Sequence, residues 1–206
     1  MIRAEAGVAE LVLLGDSVID NGTYVQPGQP DVTAQIQAAL PGWQVTGRAL
    51  DGSMVAHVTE GLAEQPLPAG ARAVLSVGGN DALNAAGLLA DPQEMTFAEA
   101  MIRLHGLRER FRAGYAALLT RLPVRSLVFT IYNPAFAGDE ADLQVPAEGA
   151  LSAFNDVIQQ EALAAGHAIL DLRRLFDDPA DYANAIEPSA QGGAKIADRV
   201  ADWVGA

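Results

Sequence analysis

Three short stretches of this chain carry side chains whose types and spacing suit acyl transfer. Ser17 follows the apolar run Leu11-Val12-Leu13-Leu14 and Gly15. A hydroxyl presented on a turn at the end of a rigid strand is a candidate nucleophile, because the strand fixes its position while the turn exposes it. Gly52 lies in Asp51-Gly52-Ser53, after a second strand-like stretch, and Asn80 lies in Gly78-Gly79-Asn80-Asp81, after a third. Acyl transfer needs donors aimed at the oxygen that becomes negative in the tetrahedral intermediate, and losing one donor typically costs about 2.7–4 kcal/mol of barrier. A glycine lets a backbone N–H approach substrate closely, and an asparagine amide is a second kind of donor. Taken singly, Asp16-Ser17 suits a turn, Gly52 a turn glycine and Asn80 a helix cap. Their joint occurrence is what points to chemistry.

The elements that must position these residues alternate along the chain. Leu11 to Leu14, Trp43 to Leu50, Ala71 to Val77, Ser126 to Tyr132 and His167 to Leu172 read as strands. Between them, apolar residues recur at helical spacing. Asp31 starts a helix with Val32, Ile36 and Leu40 on one face, and Pro41-Gly42 stops it. Met54, Val55, Val58 and Leu62 mark a second helix. Thr96 and Glu99 form a T-x-x-E capping box that opens a long helix, with Phe97, Met101, Leu104, Phe111, Tyr115 and Leu118 on its expected core face. Ala135 to Pro146 reads as an acidic, irregular loop. Glu148 to Ala165 is a further helix ended by Gly166, and Ser189 caps the last one. The alternation predicts one domain over residues 1–206, a three-layer α/β/α sandwich on a five-stranded parallel sheet. The Ser17, Gly52 and Asn80 turns then share one edge of that sheet. In open α/β sheets, that edge is where ligands bind.

Composition narrows the function classes. The 206 residues suit a single full core. Half of them are hydrophobic and 19% are charged, as in ordinary globular domains. The net charge of −13 disfavours nucleic-acid backbones and anionic membranes as partners. With no cysteine, disulfides and thiolate chemistry are excluded. No His, Asp and Glu cluster has metal-ligand spacing and no phosphate-binding glycine fingerprint occurs, so no metal or cofactor is expected. No run approaches a membrane span. Met1 to Glu10 leads into no signal-peptide pattern, which predicts a cytoplasmic location. Composition leaves the oligomeric state open.

Gly15-Asp16-Ser17 with Asp20-Asn21-Gly22, then Gly52, then Gly78-Gly79-Asn80-Asp81 resemble, in order and strand by strand, the first three blocks of the SGNH or GDSL-type serine hydrolases. The resemblance implies a flavodoxin-like sheet and an esterase that acts on a small or acyl ester through an acyl-enzyme on Ser17. It also implies an oxyanion site made by the backbone N–H groups of Ser17 and Gly52 with the Asn80 amide. Asp16 and Asp20 support the turn. The fourth block departs from the family pattern. Where an Asp-x-x-His-Pro run is usual, this chain has Asn184-Ala185-Ile186-Glu187-Pro188. Three readings stay open. Glu187 is the base, its pKa raised by burial and by Asp16 or Asp20, with Asn184 orienting it through a neutral hydrogen bond. Alternatively His57, His105 or His167 substitutes. Or the pocket binds without catalysing. Tyr132-Asn133-Pro134 reads equally as lining of the acyl pocket or as a turn near the site, Asn155 and Asp156 as a helix's polar face, and Asp171 with Arg173 and Arg174 as a surface ion pair.

Overall fold

The computed structural model describes residues 9–89 and 95–205. Five strands, β1 (Ala9–Gly15), β2 (Trp43–Gly47), β3 (Arg72–Ser76), β4 (Leu127–Phe129) and β5 (Ala168–Leu170), form one parallel sheet in the order β2-β1-β3-β4-β5. Six α-helices cover it: α1 (Val32–Ala39), α2 (Val55–Glu64), α3 (Gly79–Leu89), α4 (Phe97–Leu119), α5 (Gln144–Ala164) and α6 (Ala190–Gly205). The expected α/β/α sandwich and flavodoxin-like strand order are both present.

The two-residue period of β1 explains the layering. Leu11 and Leu13 point to a layer built with Val32 and Ile36 of α1 and Ile196 and Val200 of α6. Val12 and Leu14 point the other way, onto Val55, Val58, Tyr115, Phe154 and Ile158 of α2, α4 and α5. Both faces are buried, so the strand reads as a continuous apolar run, as central parallel strands do. The chain leaves β1 for β2 on one side and returns to β3 on the other. The crevice between the carboxyl ends of β1 and β3 is therefore the topological switch point of the sheet.

Several boundaries differ from expectation. β2, β4 and β5 are shorter than the sequence pattern suggests, although the Arg48 and Leu50 N–H groups still donate to the Leu13 and Gly15 carbonyls, and the Thr130 N–H to the Leu170 carbonyl, beyond the strand ends. The capping box of α4 forms as expected. However, Phe97 and Met101 are exposed, at 78% and 43%. The first turns of α4 overhang the sheet, and the helix reaches the core only from Leu104 onward. The segment expected as an irregular loop contains a 3₁₀ helix, Gly138–Leu143, and the start of α5 at Gln144. Pro146 fits there because the first turn of a helix needs no N–H from it. Asn155, expected on a solvated face, is fully buried.

Candidate active site

The turn after β1 is built around Gly15. Its φ is +136°, and a Cβ there would lie 1.7 Å from the Ser76 carbonyl oxygen. Only glycine permits that approach. The Asp16 N–H then donates to the Ser76 carbonyl at 3.0 Å, locking the end of β1 onto the end of β3. Asp16 Oδ1 accepts from the Val18 N–H at 3.2 Å and from Ser76 Oγ at 3.4 Å. Asp16 is thus the local support of the turn. Burial pushes its carboxyl up to about 7, and the nearby charge of Glu187 adds to the effect. Ser17 sits on this turn, 7% exposed.

Glu187 comes from the far end of the chain, on the loop before α6. Ser17 Oγ donates to Glu187 Oε1 at 3.0 Å. Glu187 is 6% exposed, and its Oε2 is buried without a hydrogen-bond partner. Burial pushes its carboxyl up to about 7, opposed by the Ser17 hydrogen bond and reinforced by the charge of Asp51. Asp51 is a carboxylate neighbour the sequence reading did not name, and Asp16, coupled to Glu187 by charge, is one it did. Asp20 does something else. Its Oδ2 accepts the Asp51 N–H at 2.9 Å, while Tyr24 Oη donates to Asp51 Oδ2 at 2.7 Å. Asp20 and Tyr24 together hold the loop that carries Gly52.

Asn184 acts on the backbone and not on the Glu187 carboxylate. Its Oδ1 accepts the N–H groups of Ile186 and Glu187 at 2.9 and 3.0 Å, forming a tight side-chain turn that presents Glu187. The same loop is strapped at several other points. Asn21 Nδ2 donates to the Pro188 carbonyl at 3.1 Å, the Ala135 N–H donates to the Ala185 carbonyl at 2.7 Å, and Tyr132 Oη donates to the Ile186 carbonyl. Lys195 Nζ bonds the buried Asp181 at 2.7 Å, and the Ser189 N–H donates to the Asp181 carbonyl at 2.8 Å. These contacts fix a carboxylate 170 residues away in sequence against Ser17.

Gly52 has φ +76° in a turn closed by the Ser53 N–H donating to the Leu50 carbonyl at 3.1 Å. Positive φ at the third position of such a turn favours glycine. Asn80 opens α3, and its Nδ2 donates one hydrogen bond to the Ser53 carbonyl at 3.1 Å. An amide nitrogen has two protons, so one is left for a ligand. Ser17, Asn80, Asp16 and Glu187 share the wall of one cavity. Gly52 is exposed and is not among the residues that line it; it adjoins Ser53, whose carbonyl holds Asn80.

The histidines are engaged or placed elsewhere. His57 Nδ1 accepts the Met54 N–H at 3.1 Å and caps α2. His105 is exposed on α4, and His167 precedes β5 at the opposite edge of the sheet. Asp171 pairs with Arg173 at 2.8 Å, as expected, and also accepts from Thr130 Oγ1 at 2.9 Å. Among the described residues no group of three or more His, Asp or Glu side chains is arranged to hold a metal ion. No described helix is long and apolar enough to cross a membrane.

Two residues support the site in ways the sequence reading did not give, although it placed Tyr132 near the active edge and the cavity is lined by Tyr132 and Pro134. Asn155 accepts the Ile131 N–H and donates to the Ile131 carbonyl, both at 2.8 Å, and so replaces the sheet partner that β4 lacks there. Tyr132 stacks on Phe176, with ring centroids 4.5 Å apart, while its hydroxyl holds the Glu187 loop. A polar residue at a core position of the α5 periodicity was the available signal for Asn155. Asn155→Leu leaves both Ile131 groups unpaired, at about 1–3 kcal/mol for each. The urea unfolding midpoint is expected to fall accordingly.

The cavity has a volume of about 110 Å³. It starts at Ser17, Asn80 and Glu187 and runs between α3 and α5, where Ala82, Ala86, Ala147 and Ala150 face it.

The family model described as the GDSL-like lipase/acylhydrolase family matches residues 13–195. Solved structures share the fold at low identity. A lipase from Streptomyces rimosus is 19% identical, with a TM-score of 0.66 over 94% of this chain and 99% of that one. A phospholipase A1 from Streptomyces albidoflavus is 18% identical, with a TM-score of 0.64 over 94% and 99%. A carbohydrate acetylesterase from Sinorhizobium meliloti is 13% identical, with a TM-score of 0.62 over 96% and 98%. Among curated proteins, none matches the sequence.

Proposed function

Because the chain belongs to the GDSL-like lipase/acylhydrolase family, we propose that it is a serine ester hydrolase with Ser17 as nucleophile and Glu187 as its base. The observation that carries this reading is the 3.0 Å hydrogen bond from Ser17 Oγ to Glu187 Oε1. A base must lie within about 2.6–3.2 Å of the group whose proton it takes. An ordinary carboxylate is too weak a base for this work at neutral pH. Burial raises Glu187 to about 7, near the optimum for a general base under those conditions.

The proton balance closes on one carboxylate. Ser17 Oγ attacks the ester carbonyl carbon as its proton passes to Glu187 Oε1. The developing oxyanion takes hydrogen bonds from Asn80 Nδ2 and from backbone N–H groups at Ser17 and Gly52. Collapse of the intermediate breaks the carbon–oxygen bond to the alcohol, which leaves with the Glu187 proton. Water then attacks the acyl-enzyme and gives a proton back to Glu187. The second collapse releases the acid, and Ser17 recovers its proton. Asp16 and Asn184 serve as positioning residues, the first for the nucleophile turn and the second for the backbone that presents Glu187.

The test is labelling with a fluorophosphonate, followed by peptide mass spectrometry, alongside turnover of p-nitrophenyl acetate. Stoichiometric adduct on Ser17, abolished in Ser17→Ala, is expected. Absence of both adduct and turnover would replace this reading with that of a binding protein on the same fold.

A further inference from the structure

The two sides of the Ser17–Glu187 pair differ sharply in chemistry. On one side the cavity runs between α3 and α5. There the facing positions Ala82 and Ala86 lie one helical turn apart, as do Ala147 and Ala150. Four alanines on adjoining helix faces leave a slot where larger side chains would have closed the packing. Leu83 and Leu151 add apolar wall. Ala82 is buried, whereas Ala86 is exposed, so the slot is deep near Ser17 and open at its outer end. On the other side stand Tyr24 and Asp51, joined at 2.7 Å. Asp51 is exposed there and is the charge that bears on Glu187. That side is polar, wet and negative.

We infer that the α3–α5 slot takes an apolar acyl chain of several carbons, while the Tyr24–Asp51 rim takes a polar, non-anionic alcohol. The inference rests on the serine hydrolase reading above, and it chooses among the esters that reading admits. An unbranched chain fits a slot whose other polar lining residues, Ser76, Thr130 and Tyr132, already give their hydroxyl protons to Asp16, Asp171 and the Ile186 carbonyl. A sugar hydroxyl there would lose its hydrogen bonds with water and gain none. The leaving alcohol must lie where Glu187 can return its proton and where product can escape to solvent. The exposed rim offers both. Each methylene taken from water by the slot strengthens binding by about fourfold. The open outer end removes any sharp upper limit on chain length. Asp51 disfavours alcohols that carry phosphate or carboxylate.

Ethyl octanoate and octyl acetate have the same atoms and differ only in which side of the ester is long. Below their aggregation limits, kcat/KM for ethyl octanoate is expected to exceed that for octyl acetate by at least tenfold. Ala150→Phe fills the slot and is expected to reduce that ratio at least tenfold, as is the independent variant Ala147→Phe. Ser152→Leu, on the exposed face of the same helix, is expected to leave the ratio unchanged. Calorimetry with Ser17→Ala, which cannot turn the esters over, is expected to show tighter binding of ethyl octanoate than of octyl acetate. Equal or reversed preference, or a ratio indifferent to both α5 variants, overturns the slot assignment. If neither ester is hydrolysed and Ser17 takes no label, the hydrolase reading itself has failed.

Discussion

Glu187→Gln is expected to lower kcat by about 10²–10⁴-fold, the range over which a positioned general base contributes, with little change in KM. The amide keeps the shape and still meets Ser17 Oγ, but it has no proton affinity near neutrality. In the wild-type protein, kcat/KM should rise about tenfold per pH unit on the acid side and level off above about 7, where Glu187 is ionised. The residual activity of the variant should lack that limb. The same substitution should act on stability with a definite sign. Burial raises Glu187 from 4.5 in the unfolded chain to about 7 in the fold, so the folded state favours the protonated carboxyl. Its stabilising contribution is complete below pH 4.5 and is lost as pH rises through 7. Glu187→Gln removes that loss, making the variant more stable than wild type at pH 8 by about 1–3 kcal/mol. At pH 4 the two should be nearly equal. Thermal unfolding at both pH values reads this directly. Greater activity loss with no stability gain at pH 8 would mean that the carboxylate is held by a cation, contrary to the contacts described above. Unchanged activity would remove Glu187 from the base role.

Asn80→Ala is expected to reduce kcat by about 10²–10³-fold, the measured scale for one lost oxyanion donor. KM should change little, because the ground-state carbonyl draws far less on that donor than the oxyanion does. Asn80 is half-buried and gives its other amide proton to the Ser53 carbonyl. The stability cost should therefore stay near that of one hydrogen bond, about 0.5–1.5 kcal/mol. A large kcat effect with a small shift in unfolding midpoint separates an oxyanion role from a capping role. Equal kcat in the two proteins would return Asn80 to the capping reading, with its contact to Ser53 as its whole purpose.

Local patterns carried much of the architecture. The apolar runs of β1 and β3, the T-x-x-E box at Thr96 and Glu99 and the Ser189 cap each involve neighbours a few residues apart. Such interactions are legible because the chain itself sets the distances. Phe97 and Met101 misled for the opposite reason. Helical spacing says which residues share a face, but only the packed fold says where along its length that face meets the sheet. Asn155 was misread similarly, because its partner, the Ile131 backbone, lies 24 residues away and is reached only after α5 docks on β4.

The site divides along the same line. Sequence alone determined the glycine-dependent turns after β1 and β2, the serine on the first, the asparagine after β3 and the sheet edge they share, because turn chemistry and strand alternation are local. It also showed that a glutamate stands in the fourth block. The tertiary structure decided what that glutamate meets. The hydrogen bond across 170 residues from Ser17 to Glu187, the burial that raises its pKa and the Asp51 charge beside it all depend on where loops land once two layers have packed. The alanine slot between α3 and α5 has the same origin, since a cavity belongs to no single segment of chain.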